Sequence, residues 1–312
     1  MVLPEALVAV LTPFQVNNGS SMIRPRSLSF GRGSLGIFET KAKRTIKHMK
    51  KYLVIILAVM AMVACAPKET KPQVGTVVYD TINNVPCRVY LPHGYKGERL
   101  KVKGERTYPV LYLQHGMWGN EHDWIEQGHL LHWMDSLLQL GQVREMVVVM
   151  PDNCPHRETS EEERANAMSG EWVRNFAQFM AETERKYNVS DDPSLRAIAG
   201  LSMGGFHSMH VSHYLHGQFA YVGLFSPAIR HPHPDPAYDN WEEEVRLQMQ
   251  EAPVYWIAIG NEDFLYENVQ EYRKWLEANH LEYTYYESAG GHVWPNWEDY
   301  ICRFLKILFK RP

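Results

Sequence analysis

The amino-acid sequence predicts an α/β domain: a mostly parallel central sheet with helices on both faces. The first observation behind that expectation is alternation. From about Val74 onward, short β-branched runs take turns with helical patterns, which demands crossover connections between parallel strands. The second is size and balance. The 312 residues are 45% hydrophobic and 22% charged, with 21 Gly and 18 Pro, and the 248 residues from Cys65 to Pro312 suffice for one such domain with a sizeable core.

Taken in order, strands are expected at Gly75–Tyr79, Cys87–Leu91, Val110–Gln114, Met146–Met150, Leu195–Ala199, Tyr221–Phe225, Val254–Ile259 and Tyr283–Glu287. Helices are expected at Leu130–Leu140, Trp172–Tyr187, Gly204–Leu215, Glu267–Ala278 and Trp297–Phe309. Nothing helical separates the first two strands, so they are expected as an antiparallel hairpin at the sheet edge. Pro227–Pro253 interrupts the alternation, because His231-Pro232-His233-Pro234-Asp235-Pro236 fits neither regular helix nor central strand. A loop with one helix over the carboxyl edge of the sheet is expected there. No internal repeat is visible.

The N-terminal segment has another character. Met49-Lys50-Lys51, the apolar run Tyr52–Ala64 and then Cys65 have the anatomy of an export signal over residues 49–64. Its 13 apolar-run residues fall short of the roughly 18–20 that span a bilayer as a helix. Met62-Val63-Ala64-Cys65 resembles a bacterial lipobox, whose cysteine is acylated and becomes the mature N-terminus. That implies a lipid anchor at Cys65, a place in the bacterial cell envelope, and a short tether over residues 65–73 before the domain of residues 74–312. Residues 1–48 scatter Pro, Arg and Ser without sustained periodicity. They are expected to be unstructured and to reflect a start assigned upstream of the true one at Met49.

Charge follows the same division. Residues 1–64 hold nine Lys/Arg against Glu5 and Glu39, so the overall −4 conceals a remainder with 23 basic and 34 acidic residues, net −11. Such a body lacks the electrostatic footprint for phosphate backbones, which argues against nucleic acid as a partner. Cys87, Cys154 and Cys302 could pair, but neither their number nor their spacing indicates a disulfide framework. No CxxC or Cys/His metal cluster occurs. Asn188-Val189-Ser190 matches a glycosylation sequon, a chance match in a bacterial lipoprotein.

The chemistry concentrates at Gly200-Leu201-Ser202-Met203-Gly204, which follows a strand and opens a helix. A nucleophile at the apex of such a strand-to-helix turn is exposed above the sheet, at the positive end of the helix. A serine nucleophile needs a base, and the base needs an orienting acid. In this topology the acid and then the histidine follow on loops after later strands. Val254–Ile259 leads into Gly260-Asn261-Glu262-Asp263, and Tyr283–Glu287 leads into Gly290-Gly291-His292. Of the fifteen histidines, His292 alone sits on a glycine loop just past the last strand. His207, His210 and His213 lie in or near the helix after Ser202, His231 and His233 in the proline-rich loop, and His280 before the last strand. Asp263 is favoured as the acid over its neighbour Glu262. Two N–H donors are required for the developing oxyanion. Met203 follows the nucleophile, and Met117 lies in the loop His115-Gly116-Met117-Trp118-Gly119 after the third strand.

Leu113-Gln114-His115-Gly116, Asp123-Trp124, Gly200–Gly205, Gly260–Tyr266 and Gly290–His292 together resemble the esterases related to esterase D. That family includes feruloyl and acetylxylan esterases of carbohydrate esterase family one, small tributyrin-type esterases and mycolyltransferases. The resemblance covers most of Val74–Phe309. It implies an α/β-hydrolase fold, a Ser202–Asp263–His292 triad, oxyanion amides from Met117 and Met203, and no metal or organic cofactor. The chain departs from the family pattern in Asn153–Gly170, which is charged rather than aromatic-rich, and after His292, where Val293-Trp294 replaces an acidic residue.

Trp118 and Trp294 flank the expected site and are candidates to stack on a phenolic acyl group or a sugar. Trp297 reads as the first buried residue of the last helix, and Trp124 and Trp172 as core. The expectation is a lipid-anchored serine esterase acting on acylated polysaccharide or oligosaccharide. Alternatives are acyl transfer to a sugar with the same triad, or a glycan-binding lipoprotein on a hydrolase scaffold, which the intact triad opposes. Cys65 disfavours the cytosolic glutathione-thioester hydrolases of the family.

Overall fold

The computed structural model describes residues 47–54, 74–97, 107–154, 168, 170–229 and 235–310. The chain divides into two units, Met1–Glu69 and Thr70–Pro312. In the first, residues 47–54 form a helix whose Met49, Tyr52, Leu53 and Val54 are each more than half exposed. The remainder of the expected export signal, Cys65 and the tether lie outside the described residues. Among the described residues no helix is long and apolar enough to cross a membrane.

The second unit is built on eight strands: β1 (Thr76–Ile82), β2 (Val85–Leu91), β3 (Val110–Gln114), β4 (Val147–Pro151), β5 (Arg196–Leu201), β6 (Tyr221–Phe225), β7 (Val254–Gly260) and β8 (Thr284–Ser288). Their order in the sheet is β1-β2-β4-β3-β5-β6-β7-β8. β1 and β2 form the expected antiparallel edge hairpin, and every pair from β4 to β8 is parallel. The hairpin closes through Asn83 and Asn84 at φ 48° and 63°. A two-residue turn with both central residues left-handed matches the twist of its strands, and Asn tolerates it. That turn carries β1 three residues beyond the Tyr79 expected from its apolar run.

Period-two alternation sends each inner strand's side chains into two separate cores. Tyr112, Ile198, Ile257 and Ile259 join one, and Leu111, Leu113, Ala199 and Ala258 the other. The other core is covered by α1 (Asp123–Glu126), α2 (Leu130–Gln139) and, at the end of the chain, α7 (Trp294–Leu305), through Trp124, Leu130, Met134, Trp297 and Phe304. The first is covered by α3 (Glu171–Lys186), α4 (Met203–Tyr214), α5 (Trp241–Glu251) and α6 (Tyr266–Ala278), through Phe176, Phe206, Val245 and Val269.

Two expectations are corrected. The helix expected over the carboxyl edge within Pro227–Pro253 is α5. It packs beside α4 as the β6–β7 crossover, because Val245 and the flanking Trp241 and Met249 bury into the core. Residues 230–234, with His231 and His233, lie outside the described residues. The last helix starts at Trp294 rather than Trp297, since Pro295 falls in its first turn, where a missing N–H costs nothing.

α4 is buried along its whole length from Met203 to His213. Its three histidines are therefore core groups. His207 Nδ1 meets Asn153 Nδ2 at 2.9 Å, and His213 Nε2 meets the Tyr255 hydroxyl at 3.0 Å. Cys87, Cys154 and Cys302 are not in disulfides. Burial pushes the Cys302 thiol up to about 12.

Candidate active site

The parallel register brings the ends of β3, β5 and β6 level, with Gln114 beside Gly200 and Leu201 beside Phe225. Ser202 follows directly, at φ 54° and ψ −117°. A non-glycine residue in that region carries strain of about 1–3 kcal/mol and persists only where its surroundings over-determine it. Here the Ser202 N–H donates to the Phe225 carbonyl at 2.9 Å, and the Ser202 carbonyl accepts from the Phe206 and Ala228 N–H groups, both at 3.0 Å. Gly204 lets α4 start this close to β3. A Cβ there would lie 2.4 Å from the His115 carbonyl oxygen and 2.6 Å from that of Gln114.

His292 arrives on the loop after β8, where Gly290 turns the chain at φ 87°. Its Nδ1 lies 2.8 Å from Asp263 Oδ2. Asp263 Oδ1 accepts from the Leu265 N–H at 2.9 Å. Desolvation pushes the Asp263 carboxyl up, but hydrogen bonds from His292, the Leu265 N–H and Ser226 outweigh it, and the group settles below its ordinary 3.8. Glu262 is exposed, and its backbone N–H is tied to the Gly290 carbonyl at 3.0 Å. Of the two adjacent acids, Asp263 is the one that meets the imidazole. A carboxylate only accepts, so Nδ1 carries a proton and a neutral ring keeps its lone pair on Nε2.

Ser226 was not anticipated. It sits buried at φ 43° just past β6, and its hydroxyl accepts from Trp297 Nε1 at 3.3 Å while supporting Asp263. Trp297 is the first buried residue of α7, as expected, and its ring stands edge-on to His292 with centroids 4.9 Å apart.

On the other side of Ser202, the loop after β3 is fixed from beneath. The Gly116 carbonyl accepts from the Gly119 N–H at 3.1 Å and from His115 Nδ1 at 2.7 Å. A trans peptide points its N–H opposite to its carbonyl, so the Met117 N–H faces away from that anchor. Met203 is the first residue of α4, where backbone N–H groups have no helical partner. Behind the loop, His115 Nε2 lies 3.2 Å from Asp152 Oδ1 and from the Asn153 N–H, and Trp172 Nε1 donates to Gln114 Oε1 at 2.6 Å. Sequence alone does not reveal this network, because it needs β3 and β4 side by side. Most of the charged segment Asn153–Gly170 lies outside the described residues.

Ser202 and His292 open into one pocket of ≈ 490 Å³, together with Met117, Trp118, Met203 and Trp294. Every expected site residue except Cys65 is thus in the pocket or, for Asp263, hydrogen-bonded to His292 behind it. Trp294 is an inner wall, edge-on to Trp124 and Trp297 at 5.4 and 5.2 Å. Trp118 is on the lip, 68% exposed and at φ 62°. Its companion is Phe264, 73% exposed with its ring 4.6 Å from His292. Adjacency to Asp263 was the only signal for it in the sequence.

Comparison with known proteins finds esterases. The esterase family model, described as "Putative esterase", matches residues 81–306. An endo-1,4-beta-xylanase/feruloyl esterase of Xylanibacter ruminicola is 30% identical over 237 residues, covering 72% of this chain. The chain spans 29% of that protein's length. A ferulic acid esterase of known structure superposes with a TM-score of 0.59 at 26% identity, over 76% of this chain and 98% of its own. A CE1 ferulic acid esterase from Anaeromyces mucronatus, solved with ferulic acid, gives 0.63 at 22% identity, over 78% and 93%. The fold is that of the α/β-hydrolases, and the chain belongs to the esterase family.

Proposed function

We propose that this chain is a serine carboxylic-ester hydrolase in which Ser202 is the nucleophile, His292 the general base and acid, and Asp263 the group that orients His292. The observation that carries the reading is the 2.8 Å bond from His292 Nδ1 to Asp263, made by a histidine that shares its pocket with the strained Ser202. His292 Nε2 takes the Ser202 proton as Oγ attacks the ester carbonyl, and the imidazolium is stabilised by the ionised Asp263 behind it. The carbonyl oxygen becomes an anion, received by the Met117 and Met203 N–H groups and the N-terminus of α4. Collapse expels the alcohol, which leaves with the proton from Nε2. Water then attacks the acyl-enzyme with His292 again as base, and the carboxylic acid departs.

The substrates in this reading are acyl groups on carbohydrate, of feruloyl or acetyl type. The xylanase/feruloyl esterase relative and the apolar, tryptophan-walled pocket support that choice. The sequence at Met62–Cys65 supports export and lipid anchoring at Cys65 in the cell envelope. Assays of the chain with short-chain aryl esters, acetylated xylan and feruloylated oligosaccharide test the reading. Turnover of aryl esters and release of acid from at least one carbohydrate ester are expected. Activity on aryl esters alone would remove the carbohydrate part, and inactivity on all three would overturn the whole.

A further inference from the structure

A further cavity, of ≈ 690 Å³, has Arg144, Lys306 and Lys310 around an apolar floor of Val143, Leu308 and Phe309. It lies at the amino edge of the sheet, where the parallel strands begin. α2 leaves the end of β3 and returns the chain to the start of β4, which puts Leu140 and Arg144 at that edge. α7 starts at Trp294 in the Ser202 pocket and runs back, so that the Phe309 ring meets Tyr221, the first residue of β6, edge-on at 5.1 Å. Ser202 stands where β5 ends, and the six residues of that strand put roughly 20 Å between the two edges.

A cation near a helix C-terminus is ordinary, since it meets the negative end of the dipole. Three around one cavity, with no carboxylate on its wall, are not ordinary in a body of net −11. Among the described residues neither Lys306 nor Lys310 is in an ion pair, whereas Arg303, about a turn earlier, is bonded to Asp299 at 2.8 Å. Leu140 beside the cavity is 67% exposed.

The chain enters the domain at this same edge. Thr76 opens β1 opposite Leu91, the last residue of β2, and β2 runs antiparallel to β4. The Gly75 N–H donates to Asp135 Oδ1 on α2 at 2.9 Å, about a turn before that helix ends. Val74, next to it, is exposed. Ten residues separate Gly75 from Cys65, a reach of at most about 35 Å. A lipid on Cys65 therefore attaches the domain by the edge that carries the cationic cavity, with Ser202 at the opposite edge.

We infer that Arg144, Lys306 and Lys310 receive the phosphate of an anionic lipid headgroup, so that the domain sits amino edge down on a bilayer and its ester pocket opens away from it. The inference rests on the proposed anchor at Cys65 for why the chain meets a membrane. A guanidinium grips phosphate through two parallel N–H bonds, the ammonium groups add point charges, and exposed Leu140 and Val74 suit the boundary between headgroups and acyl chains.

The test is amine acetylation of the full chain, read by peptide mass spectrometry, on phosphatidylcholine vesicles with and without phosphatidylglycerol. Lys306 and Lys310 should label several-fold more slowly when phosphatidylglycerol is present. Lys274, exposed on α6 across the sheet, should keep its rate. A chain carrying Arg144→Gln, Lys306→Gln and Lys310→Gln should lose at least about tenfold in affinity for the phosphatidylglycerol vesicles by sedimentation, with turnover of 4-nitrophenyl acetate unchanged. Equal labelling of Lys306 and Lys310 on both vesicles overturns the inference, and the unmodified chain suffices to show it. Equal protection by inorganic phosphate alone also overturns it, since the cavity would then be a site for small anions. The anchor is read separately, from the mass of the Cys65 peptide in chain purified from a bacterial host. Protection without a lipid there supports the cavity and removes only the anchor, and a lipid without protection does the reverse.

Discussion

Two carboxylates serve this pocket from either side of Ser202, and their environments drive them in opposite directions. The Asp263 side chain is fully buried yet lies below its ordinary pKa, while Asp123 is only part-buried and lies above it. Burial alone would order them the other way. The difference is the supply of donors: Asp263 receives His292, the Leu265 N–H and Ser226, whereas Asp123 has two bonds of 3.3 Å. Hydrogen bonding to the charged form therefore sets the direction of each shift. It separates the carboxyl bonded to His292 from the one on the pocket wall, and such a divergence of environments is the pattern by which acid–base roles are read from a site.

The sharpest way to break the comparison is to remove the charge on the better-supplied side. Asp263→Asn keeps the side-chain volume but favours the wrong imidazole tautomer, and should lower kcat on 4-nitrophenyl acetate by about 10⁴. Glu262→Gln, one residue away, should change it little. Reversed outcomes would assign the orienting acid to Glu262.

A smaller effect is expected at the aromatic residues. Trp118 and Phe264 stand at the mouth and Trp294 inside it. Replacing a ring that stacks on substrate by Ala should cost about 0.5–1.5 kcal/mol, or roughly two- to tenfold in kcat/KM. For Trp118→Ala, Phe264→Ala and Trp294→Ala the loss should be larger on feruloylated oligosaccharide than on small methyl esters. Equal losses on methyl esters and feruloylated oligosaccharide would mean that Trp118 and Phe264 only hold their loops, with Phe264 merely packing on His292.

The smallest effect is on stability. A carboxyl held below its ordinary value contributes stability that is complete above about pH 3.8 and lost as pH falls through the lower folded-state value. Asp123 has the opposite sign: its raised value costs stability at neutral pH, a cost relieved as pH falls through that raised value. Thermal unfolding between pH 3 and 7 should therefore show Asp263→Asn with a flatter acid limb than the parent. Asp123→Asn should be no less stable than the parent at pH 7.

What was legible in the sequence was what local order determines. Ser202 and His292 could be placed because each sits in a glycine-bounded turn directly after a strand, and the strand ends are set by short apolar runs. Asp263 was favoured over Glu262 in the sequence, and the structure adds the physical reason: the Glu262 N–H bond to Gly290 goes with an exposed Glu262 side chain and a buried Asp263. Ser226 needed β6 and β7 to be neighbours, and the His115–Asp152 contact needed β3 beside β4. Neither adjacency is written in local sequence. Trp294 and Trp297 were already distinguishable as site candidate and buried helix residue, and Pro295 adds only that α7 starts at Trp294.

The central claim is that Ser202, served by His292 and Asp263, carries the acyl group. Intact-mass spectrometry after treatment with a fluorophosphonate tests it most directly, since the reagent phosphonylates only an activated serine. The account predicts one adduct per chain, localised to the peptide containing Ser202, absent from Ser202→Ala and strongly slowed in Asp263→Asn. An adduct of equal yield on Ser202→Ala, or one mapped to another serine, would contradict it.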